Sequence, residues 1–223
     1  MNSPGRAWRR SGTAPLHGVP LTLDLAAVAV FALPGALVAS RAQLDPVGFM
    51  FMASLTAVGG GTIRDSLLGR AEYWVAAPIY LAVACGAAIL VFFTAHLLES
   101  RYKVLVWLDA VALAVAVAAG LFAATQMGSS PAICLVMGIL TGCLGGLMRD
   151  VVANEVPLVL KPGELYVTAA VAGALVAVGA LGVGAPGMVA GLLCIAVTFT
   201  LRAGAILRGW NLPGYKPRPP KLR

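Results

Sequence analysis

The sequence predicts an all-α integral membrane protein: seven transmembrane helices, arranged as two inverted three-helix repeats plus a seventh helix. Three observations carry that prediction. Mean hydropathy is +0.90, and only 11% of residues are charged against 60% hydrophobic, where a soluble domain carries about 25% charged residues. Residues 73–98, 110–148 and 165–201 hold no Asp, Glu, Lys or Arg, and a bilayer span takes roughly 20 apolar residues. Finally, Gly59-Gly60-Gly61-Thr62-Ile63-Arg64-Asp65 is echoed 85 residues later by Leu144-Gly145-Gly146-Leu147-Met148-Arg149-Asp150.

The spans fall at about 21–40, 46–68, 74–98, 104–125, 131–153, 164–181 and 187–207. The first follows a polar leader, residues 1–19, whose Arg6, Arg9 and Arg10 imitate a signal peptide. The apolar run behind them fills a whole span and aligns with the fourth, so it is kept as the first helix. The second starts near Pro46. Pro34 and Pro78 predict kinks in the first and third spans. The fourth and fifth divide at Gln126–Pro131, and the sixth and seventh at Gly182–Gly187. The resulting units are repeat 1 (20–103), repeat 2 (104–185), the seventh helix (186–210) and a basic tail (211–223).

Lysines and arginines give the chain an orientation. With the motif arginines set aside, one side carries Arg6, Arg9, Arg10 and Arg70. The other carries Arg41, Arg101, Lys103, Lys161, Arg202, Arg208, Lys216, Arg218, Lys221 and Arg223. Four against ten predicts a cytoplasmic C-terminus and an N-terminus outside, in the cell inner (plasma) membrane. The net charge of +7 therefore flanks spans, and no nucleic-acid partner is expected. Cys85, Cys134, Cys143 and Cys194 all fall within spans without Cys-x-x-Cys spacing, and His17 and His96 have no ligand-spaced partner. That argues against a zinc or redox site, and no cofactor is expected.

The offset of the motif also maps Asp24 onto Asp109, Gly35 onto Gly120, Pro46 onto Pro131 and Leu55-Thr56 onto Leu140-Thr141. A repeat of three spans, an odd number, must re-enter the bilayer inverted, with a pseudo-two-fold axis in the membrane plane. The second and fifth spans become equivalent antiparallel elements near that axis. At 1.5 Å per residue from Pro46, Gly59–Gly61 lie roughly 20 Å along, somewhat past the midplane. Consecutive glycines favour local unwinding, which at that depth requires burial in protein or a wet cavity. Two unwound half-helices would aim carbonyl ends at one another, suited to a cation. The same glycines also read as packing: Gly138, Gly142 and Gly146 form a small-xxx-small ladder, matched by Ala53, Ala57 and Gly61.

Arg64 and Arg149 are either snorkelling residues near span ends or members of a buried network. Each is followed by an aspartate, Asp65 or Asp150, and preceded forty residues earlier by another, Asp24 or Asp109. The expectation is an Asp24–Arg64 pair in one half of the membrane and an Asp109–Arg149 pair in the other, with Asp65 and Asp150 freer. The net of −1 per repeat favours a cation. Asp24 has a second reading, as an acidic residue in the first turn of its helix. Thr56 and Thr141 precede the glycines, where hydroxyls either line a path or bond their own helix backbone. Trp74, Tyr102, Trp107, Tyr166 and Trp210 read as an aromatic belt, and the tail from Lys216 to Arg223 as a contact for anionic lipid heads or a topology signal.

Two three-helix repeats plus a seventh helix, the doubled glycine–Arg-Asp motif, and Arg202 through Arg208-Gly-Trp210-Asn-Leu-Pro213 resemble the prokaryotic relatives of the trimeric intracellular cation (TRIC) channels. The resemblance covers about residues 20–213. It implies a homotrimer with a pore for potassium or another monovalent cation in each subunit. The pore would lie between kinked second and fifth helices, with Gly59–Gly61 and Gly145–Gly146 as the constriction. Leu144 replaces the first glycine of the second copy, which makes that kink milder. The Lys-Glu-Val signature of the animal branch is not evident, and many bacterial members carry a provisional glycine-transporter label. A secondary carrier of glycine or another small zwitterion is therefore the competing reading, with an arginine for the carboxylate and an aspartate for the ammonium group. No nucleophile–base pair, phosphate loop or metal-ligand spacing is visible, so an enzyme is not expected.

Overall fold

The computed structural model describes residues 21–98, 100–161 and 165–213. The leader of residues 1–19 and the tail from residue 214 lie outside the described residues. The rest is helical: α1 (Leu21–Arg41), α2 (Pro46–Leu67), α3 (Tyr73–Ala76), α4 (Ile79–Thr94), α5 (Arg101–Gln126), α6 (Pro131–Val152), α7 (Tyr166–Gly182) and α8 (Gly187–Arg208). Short 3-10 turns follow α4 at Ala95–Leu97 and precede α7 at Leu158–Leu160.

Five segments are long and apolar enough to cross a bilayer: Pro46–Leu67, Ile79–Leu97, Arg101–Gln126, Pro131–Val152 and Gly187–Arg208. α1, 21 residues long, and the shorter apolar α7, of 17 residues, make seven such helices among the described residues. The third expected span differs from the prediction. Ala77, forced from helical dihedrals by the proline after it (φ −135°, ψ 87°), cuts off α3 as a separate four-residue turn. Pro78 thus breaks the chain rather than kinking a helix, whereas α1 runs unbroken past Pro34. Large apolar side chains such as Phe51, Leu90, Phe93 and Leu192 are exposed, as expected of helices whose solvent is lipid.

Helix ends follow local chemistry. Asp45 accepts a hydrogen bond from the Gly48 N–H at 2.7 Å, and Ser100 caps α5 through the Lys103 N–H at 3.4 Å; each cap contributes about 1 kcal/mol. Pro46 and Pro131 occupy the first helical turn, where a missing N–H costs nothing.

The duplication is visible in three dimensions, residue for residue. The left-handed turn residues of the first repeat, Gln43 and Gly69, lie 85 positions before those of the second, Gly128 and Asn154. A methyl placed on Gly35 would strike Met52 O and Thr56 Oγ1, and one on Gly120 would strike their equivalents Met137 O and Thr141 Oγ1. Small residues such as Ala32, Ala36, Ala84 and Ala88 are wholly buried. Without a hydrophobic drive between helices in lipid, such close backbone approach supplies the packing attraction. α8 lies outside the duplication and packs on α5 and α7.

Candidate functional site

The two repeats meet where α2 crosses α6. A methyl on Gly60 would stand 2.5 Å from the Thr141 carbonyl oxygen, and one on Gly145 would stand 2.9 Å from the Thr56 carbonyl oxygen. The contact is reciprocal, so the pseudo-two-fold axis runs between Gly60 and Gly145. The expected unwinding is not found: α2 and α6 are continuous α-helices through Gly59–Gly61 and Gly145–Gly146. The glycines instead remove the side chains that would hold the helices apart, and an intact helix leaves no orphaned carbonyl in hydrocarbon. Gly59 faces Met148, Gly61 faces the Tyr73 ring, and Gly146 lies against the Tyr166 hydroxyl and Asp109. Thr56 and Thr141 donate to their own helices, to Met52 O at 2.7 Å and Met137 O at 2.6 Å.

Around this crossing lies a cavity of about 1230 Å³, bounded by α1, α2, α3, α4, α5, α6 and the first residue of α7. Of the residues singled out in the sequence, Thr56, Gly60, Gly61, Arg64, Asp109, Thr141, Gly145 and Gly146 line it. Gly59, Asp65, Arg149 and Asp150 are not among its lining residues. The cavity reaches from the C-terminal ends of α2 and α5, at Arg70 and Gln126, past the glycine crossing to Asp109 and Tyr166.

Its deep end is closed by charge. Arg149, with no exposed surface, donates from Nη1 to Asp109 Oδ1 at 2.8 Å and from Nε to Asp150 Oδ1 at 2.7 Å. Asp150 Oδ2 accepts the Leu158 N–H at 2.9 Å. Asp150 is therefore not the freer carboxylate that the sequence suggested. Neither is Asp65, which is 1% exposed and accepts from Arg64 Nε at 2.8 Å. In both motifs the arginine folds back onto the aspartate that follows it, while Arg149 Nη2 is buried without a hydrogen-bond partner among the described residues. The expected Asp24–Arg64 pair rests on an Asp24 side chain outside the described residues. Asp109 Oδ2 is buried without a hydrogen-bond partner among the described residues, beside the cavity that Asp109 lines.

Two residues of this end were read differently in the sequence. Tyr166 is not an interfacial aromatic but 2% exposed. Arg202 is not a flanking charge: it has no exposed surface, and its guanidinium carbon lies 4.9 Å from the Tyr166 ring centroid, a cation–π contact. Removing it leaves nine basic residues on the C-terminal side, which keeps the bias. It also changes the charge tally, because Arg149 and Arg202 balance Asp109 and Asp150. The signal was present in the sequence, as an arginine six residues inside the end of an apolar helix. At the shallow end, Tyr73 donates to Ala57 O at 3.3 Å and Trp74 Nε1 to Thr62 Oγ1 at 2.8 Å, holding α3 against α2.

A family model described as "Glycine transporter" matches residues 21–96 and 106–182. A UPF0126 membrane protein of Vibrio cholerae is 40% identical over 199 residues, covering 86% of this chain and 81% of the relative. The UPF0126 inner membrane protein YadS of Escherichia coli K12 is 37% identical over 199 residues, with 86% and 94% covered. Among solved structures, a TRIC trimeric intracellular cation channel orthologue from Rhodobacter sphaeroides superposes with a TM-score of 0.81 at 41% identity, covering 84% of this chain and 97% of that one. A second, described as a structural basis for conductance through TRIC cation channels, gives 0.80 at 28% identity, with 91% and 100% covered.

Proposed function

The chain belongs to the family described as Glycine transporter, a group of multi-pass membrane proteins, and from that premise we propose that it is a channel for monovalent cations, potassium foremost. The pathway would run through the cavity of each subunit, across the Gly60–Gly145 crossing, with three subunits assembled as in the channels it resembles. It would sit in the inner membrane with its N-terminus outside and its C-terminus cytoplasmic. The two repeats, 20–103 and 104–185, would frame that pathway between them.

The observation that carries this reading is Asp109. It is the one acidic side chain among the described residues that line the cavity, where Thr56, Thr141 and small residues stand beside apolar side chains and, toward the other end, Arg64 and Arg70. One of its oxygens is unpartnered among the described residues. Such an oxygen costs free energy until it is solvated, and a passing cation with its water is a suitable partner. Thr56 and Thr141 hydroxyls, already donating to their helices, keep lone pairs to offer a cation. In this conformation the Arg149 network blocks the deep end.

One observation favours a carrier of glycine or another small zwitterion. The cavity is open at one end and closed at the other, as alternating access requires, and Arg64 and Asp109 line it together. Proteoliposomes separate the readings. Potassium efflux far faster than any glycine exchange supports the channel; saturable glycine uptake without potassium efflux sinks it.

A further inference from the structure

The two ends of the cavity are built from segments that the 85-residue duplication makes equivalent, residues 69–76 and 154–161. At the closed end, a strap between α6 and α7 is tied down at several points. Arg41 at the end of α1 donates to Glu155 at 3.0 Å. Leu158 is held by Asp150, and Lys161 Nζ lies 3.2 Å from the Tyr102 hydroxyl. Tyr102 is itself flanked by the Arg41 and Lys161 cations, at 5.1 and 5.0 Å from its ring centroid. Subtracting the 85-residue offset carries Glu155, Leu158 and Lys161 onto Arg70, Tyr73 and Ala76, while Arg41 maps forward onto Gln126. All four counterparts line the open cavity. Even the local turn is kept, since Leu158–Leu160 falls on α3. At the open end the Arg–Glu pair is replaced by Gln126 and Arg70, and no hydrogen bond joins them among the described residues.

We propose that the Arg41–Glu155 pair is a latch that holds the strap of residues 153–161 over the inner end of the pathway. The open end shows what the closed end becomes when the latch parts. The fold is duplicated and the latch is not, so the two mouths obey different controls. A half-exposed ion pair is weak and screened by salt, which suits a contact that must release. The proposal rests on the pathway reading only for the consequence of release, not for the latch itself.

Hydrogen–deuterium exchange at the Leu158 amide, on full-length protein in lipid nanodiscs, reads the strap directly. Potassium flux in proteoliposomes reads the consequence. Glu155→Gln and Arg41→Gln are each expected to speed exchange and flux about two- to fivefold, the range such a pair commands. The charge swap Arg41→Glu with Glu155→Arg is expected to restore both. The converse experiment installs the latch where the fold lacks it: Gln126→Arg with Arg70→Glu is expected to slow exchange across residues 69–76 and lower flux. Unchanged exchange in both single variants, or a swap that restores nothing, overturns the latch. Faster exchange without greater flux overturns its role as a gate. Wild-type protein that carries no potassium, with exchange responding as stated, supports the latch and removes the channel reading instead.

Discussion

Replacing Gly60 or Gly145 by alanine should loosen the whole molecule, and the double variant should cost little more than Gly60→Ala alone. An alanine Cβ at position 60 would stand 2.5 Å from the Thr141 carbonyl oxygen, and one at 145 would stand 2.9 Å from that of Thr56. Both obstacles are backbone, so neither can rotate away. A relaxed carbon–oxygen contact needs about 3.3 Å. The helices must therefore part by about 0.8 Å for the first variant and about 0.4 Å for the second. Overpacking of this kind costs about 1–3 kcal/mol, with Gly60→Ala at the upper end. Both methyls open the same crossing, so the separation forced by one accommodates the other, and the effects are sub-additive. Thermal unfolding of the single and double variants in detergent would read the order directly. Strictly additive losses, or Gly145→Ala costing more than Gly60→Ala, would refute the reasoning.

Three further outcomes concern the deep end of the cavity. Arg149→Met leaves two buried carboxylates facing one another and should cost about 3–5 kcal/mol, and Arg149→Lys should recover little because an ammonium cannot reproduce the Nε and Nη1 fork; melting temperature and expression yield read both. Asp109→Asn should retain the fold better than Arg149→Met while lowering the preference for potassium over chloride, measured as a shift of reversal potential in a salt gradient; an unmoved reversal potential would remove Asp109 from the pathway. Gly146→Ala should destabilise, because its methyl would meet the Tyr166 hydroxyl at 2.9 Å, and Tyr166→Phe in the same chain should recover part of the loss, a double-variant cycle that fails if the two effects simply add.

Much of the fold was legible because membrane helices announce themselves by length and charge-free composition. The inverted arrangement followed from an odd span count. The Arg-Asp motif marked both repeats, and the structure brings Asp109 to Arg149 forty residues apart. Of the two readings that the glycines allow, the structure shows close packing and not unwinding. A run of three suggests unwinding when considered alone, but whether a glycine breaks a helix or admits a neighbour depends on what lies opposite it. Here that is the Thr141 backbone, invisible from position 60. Tyr166 and Arg202 were assigned to the interface because each lies near a span end. Burial there depends on α8 packing over α7, a tertiary fact with no periodic trace. The unequal ends of the cavity were hidden for a different reason: the repeat relates Arg41 to Gln126 and Glu155 to Arg70, and its meaning appears only once one mouth is seen open and the other tied.

The central claim is that ions pass through this cavity, and recording purified protein in a planar bilayer under a potassium gradient tests it most directly. The account predicts discrete unitary currents reversing near the potassium potential, and larger or more frequent openings in Glu155→Gln. A silent bilayer, with saturable glycine uptake by the same preparation in liposomes, would contradict it.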